Sequence, residues 1–153
     1  MTVEGTPKYS GKMNGVDANY IAYDTTAVGM DVLLAYYFCD GGLYSVRYIL
    51  NEDHSVDSLY IDDYNTFKQA LTNKYGEPLL DNEKWTSDSK KSFYADDKGR
   101  ALNYGYLSYY TCYITERVIV EMDMSADNYE VSTLINYTSL TVSPGETDFS
   151  EDV

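Results

Sequence analysis

The stretch "YIDDYNTFKQALTNKYGEP", Tyr60 to Pro78, decides how the rest of the chain can fold. Tyr60, Tyr64, Phe67, Leu71 and Tyr75 recur at intervals of four, three, four and four, the rhythm of one buried helix face. Asp62, Asp63, Asn65, Gln69 and Asn73 fall mainly on the opposite side. Asp57, Asp62 and Asp63 lie near the amino-terminal end, where negative charge suits unpaired amides. Lys68 and Lys74 come later, where positive charge is preferred. Gly76 can take the left-handed conformation that ends a helix, and Pro78 prevents resumption. The spacing predicts a helix from about Asp57 to Lys74.

An apolar stripe needs an apolar layer to cover, and the flanking segments read as strands. "ANYIAY" (Ala18 to Tyr23) alternates. "DVLLAYYF" (Asp31 to Phe38) is apolar on both faces and therefore central in a sheet. "CDGG" (Cys39 to Gly42) offers the positive φ angles of a tight turn, and "LYSVRYIL" (Leu43 to Leu50) returns as the hairpin partner. Further along, "LSYYTCYI" (Leu107 to Ile114), "RVIVEMDMS" (Arg117 to Ser125) and "YEVSTLINY" (Tyr129 to Tyr137) read as strands. Between them, "DTTAVGM" (Asp24 to Met30) reads as a turn region and "LLDNEKWTSDSKK" (Leu79 to Lys91) as a long connection anchored by Trp85. "KSFYADDKGRALNYGY" (Lys91 to Tyr106) reads as a strand, a turn and a second strand. The expected fold is α+β: a curved antiparallel sheet with one main helix packed on one face.

"VEGTPKY" (Val3 to Tyr9) echoes "KYGEPLL" (Lys74 to Leu80), since both carry the Gly-x-Pro helix stop. Each is followed by a polar connection, an aromatic strand and a hairpin. Two αβββ-like halves, 1–50 and 51–138, within a single domain 1–138 account for that order. The echo then places the first half's helix upstream of Gly5. The segment 139–153 is acidic, with Pro and Gly, and is expected to fray.

The 153 residues hold 11 basic and 25 acidic side chains, a net charge of −14 that repels phosphate backbones and anionic membranes. Nucleic acid is therefore not an expected partner. No apolar run nears the roughly 20 residues that span a bilayer; the longest, "VLLAYYF" (Val32 to Phe38), has strand length. "MTVEGTPKYSGK" lacks the apolar core of a signal peptide, so the chain is either cytoplasmic or extracytoplasmic with its leader removed. Cys39 and Cys112 lie far apart, and His54 is the single histidine, which excludes the ligand spacing of a zinc site. A disulfide and two buried thiols both remain open for the pair.

Chemistry finds little purchase in these motifs. There is no Gly-x-Ser-x-Gly elbow and no Walker loop. A triad would have to use His54, in the polar "NEDHSVD", where a surface or capping role is the plain reading. Cys112, in the strand-like "YYTCYI", has no helix amino terminus beside it to activate a thiol. "DMSADNYE" (Asp123 to Glu130) and "DDKG" (Asp96 to Gly99) lack EF-hand spacing. No catalytic residue, cofactor or metal is expected. Tyrosine is the unusual count, 18 against 4 Phe and 1 Trp. Tyrosines alternating along strands must send about half their rings out of the core. Tyr36, Tyr48, Tyr104, Tyr106, Tyr110 and Trp85 are the candidate recognition surface, suited to glycan stacking or to a basic protein partner.

"AYYFCDGGLYSVRYIL", the helix stretch, Trp85 and "RVIVEMDMSADNYEVSTLINYTS" together resemble uncharacterised extracytoplasmic domains of Gram-positive, often gut-dwelling, bacteria, frequently carried behind a lipoprotein signal. Such domains are similar in architecture to the two-repeat beta-lactamase inhibitor proteins and to small outer-membrane assembly lipoproteins. The shared motifs are structural: a hairpin, a helix stop and a closing strand. The resemblance implies a cell-envelope setting and a non-enzymatic binding or scaffold role, with an unknown envelope protein or glycan as partner. A small carboxylate-dependent hydrolase acting on glycan or peptide is the alternative.

Overall fold

Alternating strand residues find their partners in a single sheet. The structure, a computed structural model, describes residues 9–12 and 18–142. The elements run β1 (Tyr9–Lys12), β2 (Ala18–Ala27), β3 (Met30–Cys39), β4 (Gly42–Leu50), α1 (Ser58–Tyr75), β5 (Leu80–Trp85), α2 (Asp88–Tyr94), α3 (Lys98–Asn103), β6 (Leu107–Ile114), β7 (Val118–Asp127) and β8 (Glu130–Ser139). The eight strands lie in the order β1-β2-β3-β4-β8-β7-β6-β5, and every neighbouring pair is antiparallel. Consecutive strands are therefore neighbours except at β4 and β8, where two four-stranded runs meet. The class is α+β and mainly sheet. No helix among the described residues is long and apolar enough to cross a membrane.

Because side chains alternate, register assigns the two faces. Leu34 lies opposite Tyr48, Tyr48 opposite Ile135, Ile135 opposite Met122, and Met122 opposite Thr111. All five are buried, so this row runs through the core. Helix α1 meets the same residues. Tyr64, Phe67 and Leu71 are its buried positions, as the spacing requires, and Tyr60 and Tyr75 flank them half-buried. Tyr64 Oη sits 2.7 Å from Thr111 Oγ1 and 3.1 Å from the Met122 carbonyl oxygen. The Phe67 ring centre is 6.1 Å from that of Tyr48, and Tyr75 is 6.1 Å from Tyr113 and 6.3 Å from Tyr137. Full burial of a side chain such as Phe67 or Leu71 stabilises by about 1.5–3 kcal/mol. Gly76 stops the helix with φ 85, its N–H donating to the Thr72 carbonyl at 2.9 Å.

The other face is mixed. Ala22, Ala35, Arg47, Asn136, Glu121 and Cys112 form one cross-strand row. Arg47 Nε and Ser45 Oγ each donate to Asn136 Oδ1 at 3.0 Å, and the Arg47 guanidinium lies 4.6 Å from the Tyr37 ring centre. Cys112 is buried in this row and Cys39 is half-buried at the end of β3; both thiols are free, so the disulfide alternative is not realised.

Three segments depart from the sequence reading. Asp24 to Ala27 continue β2, and the reversal is confined to Val28 and Gly29. Leu79 to Lys91 is not a plain connection: Leu80–Trp85 is strand β5, and Asp88 opens α2. β5 is an edge strand, largely exposed on both faces, so it shows none of the apolar alternation that marks a strand, and its charges discourage edge-to-edge pairing. Lys91 to Tyr106 is helical rather than strand-turn-strand. The echo segment 3–8 and the tail 143–153 lie outside the described residues.

Candidate functional site

The segment read as strands instead builds an aromatic end of the molecule. Ser87 caps α2, its Oγ accepting from the Lys90 N–H at 3.2 Å, and Asp97 caps α3, accepting from the Arg100 N–H at 3.4 Å. Ala101 and Leu102 insert fully into the core, and a Cβ on Gly99 would come 2.7 Å from the Ser58 backbone nitrogen. Only glycine lets α3 lie this close to the start of α1. Asn103 Nδ2 adds a bond to Asp57 Oδ2 at 3.3 Å.

Helix α3 ends in a Schellman motif. The Tyr106 N–H donates to the Ala101 carbonyl at 2.9 Å and the Gly105 N–H to Leu102 at 3.0 Å, with Gly105 at φ 79. The turn leaves Tyr104 exposed on one side of the glycine and Tyr106 half-buried against the core on the other. Their rings, 6.0 Å apart and nearly perpendicular, join Tyr94 at 6.2 and 5.5 Å, and Phe93 packs on Tyr94 at 4.8 Å. Lys90 Nζ stands 4.1 Å from the Tyr106 ring centre. From the β7–β8 reversal, Tyr129 completes the run at 6.0 Å from Tyr104.

Exposure separates Phe93, Tyr104 and Tyr129 from the other rings, while Tyr94 and Tyr106 are half-buried. Phe93 is 79% exposed, Tyr129 69% and Tyr104 45%. At about 200 Å² per aromatic side chain, the three leave on the order of 400 Å² uncovered. That matches the largest apolar patch of a monomer, which is commonly functional. Beside it opens a cleft of about 350 Å³ lined by Asn103, Tyr104, Ala126, Asp127, Asn128 and Tyr129.

The reversal carrying Tyr129 is strained. Asn128 and Tyr129 have φ 51 and 65, the left-handed pair of a two-residue hairpin turn. The β2–β3 reversal repeats it with Val28 at φ 53 and Gly29 at φ 78. One hairpin has glycine at the second position and the other a bulky aromatic. Left-handed backbone at such a residue is uncommon and concentrates at functional sites.

The six residues singled out from sequence do not form one surface. Tyr104 and Tyr106 belong to the aromatic end. Trp85 pairs with Leu107 at its border, half-buried, its Nε1 without a hydrogen-bond partner. Tyr48 is in the core beneath Phe67, and burial raises its pKa. Tyr36 shares the core-side face, its buried hydroxyl likewise unpartnered. Tyr110 points to the opposite face and donates to Glu121 Oε2 at 2.7 Å, a bond that with burial pushes the phenol up. Phe93, Tyr94 and Tyr129, outside that set, join Tyr104 and Tyr106 at the aromatic end. The local marks of the helices there are Ser87 and Asp97 as caps and Gly105 as a helix stop.

The groups considered for chemistry are tied elsewhere. His54 Nε2 lies 2.5 Å from Asp63 Oδ2 and its ring stacks edge-on against Tyr60, fastening the loop before α1. Asp81 and Glu83 share a cleft beneath α1, where Asp81 accepts from Lys68 at 3.1 Å and Glu83 from Lys98 at 2.7 Å. Among the described residues, no group of three His, Cys, Asp or Glu side chains converges as a metal site. No family model, curated protein or solved structure matches the chain.

Proposed function

We propose that the chain is a non-enzymatic, extracytoplasmic binding module that holds an envelope partner on its aromatic end. One observation carries the reading: the exposed rings of Phe93, Tyr104 and Tyr129, joined through half-buried Tyr94, stand beside a polar cleft. Rings buried for stability alone would not leave Phe93 and Tyr129 mostly in water. The reading includes α1 as the principal helix covering one sheet face. It also includes a two-halved architecture, which the meeting of two four-stranded runs at β4 and β8 supports.

The hydrolase alternative has one observation in its favour, the Asp81–Glu83 pair in a cleft of about 290 Å³. Each carboxylate already accepts from a lysine ammonium, so the pair reads more simply as two partly exposed ion pairs. Co-sedimentation with purified Gram-positive cell-envelope material tests the binding reading. The chain is expected to sediment, and Tyr104→Ala to reduce the bound fraction while Tyr110→Ala leaves it unchanged. Equal binding by all three proteins would refute the assignment to the aromatic end. Release of glycan or peptide fragments during incubation would favour the hydrolase.

A further inference from the structure

We infer that the cleft lined by Tyr104 and Tyr129 is a saccharide subsite, taking one uncharged pyranose ring of an envelope glycan; this rests on the binding-module reading and names its ligand class. The two rings meet at 83° with centres 6.0 Å apart, forming a corner rather than a closed stack. An aromatic face matches the apolar C–H face of a pyranose, and the sugar hydroxyls then point outward and need both donors and acceptors. Asn103 and Asn128 supply amides, Asp127 supplies a carboxylate, and Ala126 is the small apolar member of the lining. The amides read hydroxyls in either sense, and the carboxylate accepts.

Other ligand classes fit less well. No Lys or Arg lines the cleft and Asp127 does, which disfavours phosphates, nucleotides and acidic sugars. A protein partner needs roughly 800 Å² on each side for a standard interface. The exposed aromatic surface is about half of that. A cleft of about 350 Å³ falls at the small end of ligand pockets, suiting one ring of a chain rather than a folded segment.

The subsite is also preorganised, which reduces what binding must order. Tyr104 is held by the Schellman turn at Gly105, whose left-handed φ no other residue adopts as easily. Tyr129 is held by the paired positive φ angles of its turn, and Asn103 by Asp57. Lys90 over Tyr106 and the core-inserted Ala101 and Leu102 fix the frame behind them.

The test is an amide NMR titration of the full chain with neutral glucose and N-acetylglucosamine oligomers, alongside the envelope sedimentation assay. Saturable shifts are expected at Gly105, Asn128 and Tyr129. Affinity should fall at least about tenfold in Tyr104→Ala and in Tyr129→Gly, the latter keeping the turn's backbone. Leu79→Ala, exposed and not part of the cleft lining, should titrate like the parent. If the oligomers shift none of these amides while envelope binding still depends on Tyr104, the saccharide assignment is overturned and the binding end survives. If neither assay depends on Tyr104 or Tyr129, both are overturned.

Discussion

Replacing Tyr129 with alanine and with glycine measures how much strain its left-handed backbone holds. Both substitutions remove the ring, so the lost edge contact with Tyr104 is common to them. They differ only in the backbone. At an ordinary loop position alanine is more stable than glycine by about 0.4–1 kcal/mol, because glycine has more freedom to lose. At φ 65 alanine keeps a left-handed cost of roughly 1–2 kcal/mol that glycine avoids. The second effect exceeds the first, so the order reverses: Tyr129→Gly should be more stable than Tyr129→Ala by about 0.5–1 kcal/mol. The β2–β3 turn provides the calibration. Gly29 sits at φ 78, and a methyl group there would meet nothing within 4 Å, so Gly29→Ala should lose a similar amount for conformational reasons alone. Urea unfolding followed by the single Trp85 and by far-UV circular dichroism reads all three with an unchanged slope. A melting difference of about 2–4 °C accompanies each 1 kcal/mol. If Tyr129→Ala equals or exceeds Tyr129→Gly, the turn is not left-handed in solution, and the preorganisation of the cleft falls with it.

Three further outcomes follow from the packing. Gly99→Ala should destabilise by about 1–3 kcal/mol, because its methyl meets the Ser58 backbone at 2.7 Å and must push α3 outward; a melting temperature equal to the parent's would show that α3 docks elsewhere. Asp123 has its pKa raised above 3.8, chiefly by burial and then by Glu121, so stability is greatest with the carboxyl protonated and declines as pH rises through that raised value. Asp123→Asn should therefore gain stability at neutral pH, and the gain should vanish in urea melts below the ordinary carboxylate pKa. Tyr64, buried against Thr111 and Met122, has its phenol held above 10.0 by burial, so its stabilisation is complete below that pH and lost as pH climbs beyond it. Tyr64→Phe should cost about 1–2 kcal/mol in urea melts at neutral pH, and phenolate absorbance in the parent should lag behind free tyrosine until the fold opens.

Much of the architecture is legible along the chain because its signals are local. The i, i+3, i+4 spacing from Tyr60 to Tyr75 marks α1, and Gly76 with Pro78 marks its end within a residue. The β3–β4 hairpin and strands β6 to β8 are equally readable, since one buried face imposes alternation. β5, α2 and α3 escape that logic. β5 is an edge strand with both faces largely wet, and α2 and α3 are too short for a periodic stripe. Aromatic residues in "KSFYADDKGRALNYGY" suggest strands by composition, while Ser87, Asp97 and Gly105 set helices by their backbone bonds.

Sequence by itself determined the helix face, most of the strands, the acidic charge and the excess of tyrosine, because each follows from residue type and spacing. Which tyrosines face water was decided only by the tertiary structure. Tyr48 and Tyr104 look alike in sequence, yet one lies under Phe67 and the other stands at the tip of a helix stop beside a hairpin from another part of the chain. Burial depends on what long-range register and packing bring overhead, and residues distant in sequence carry no local mark of that meeting.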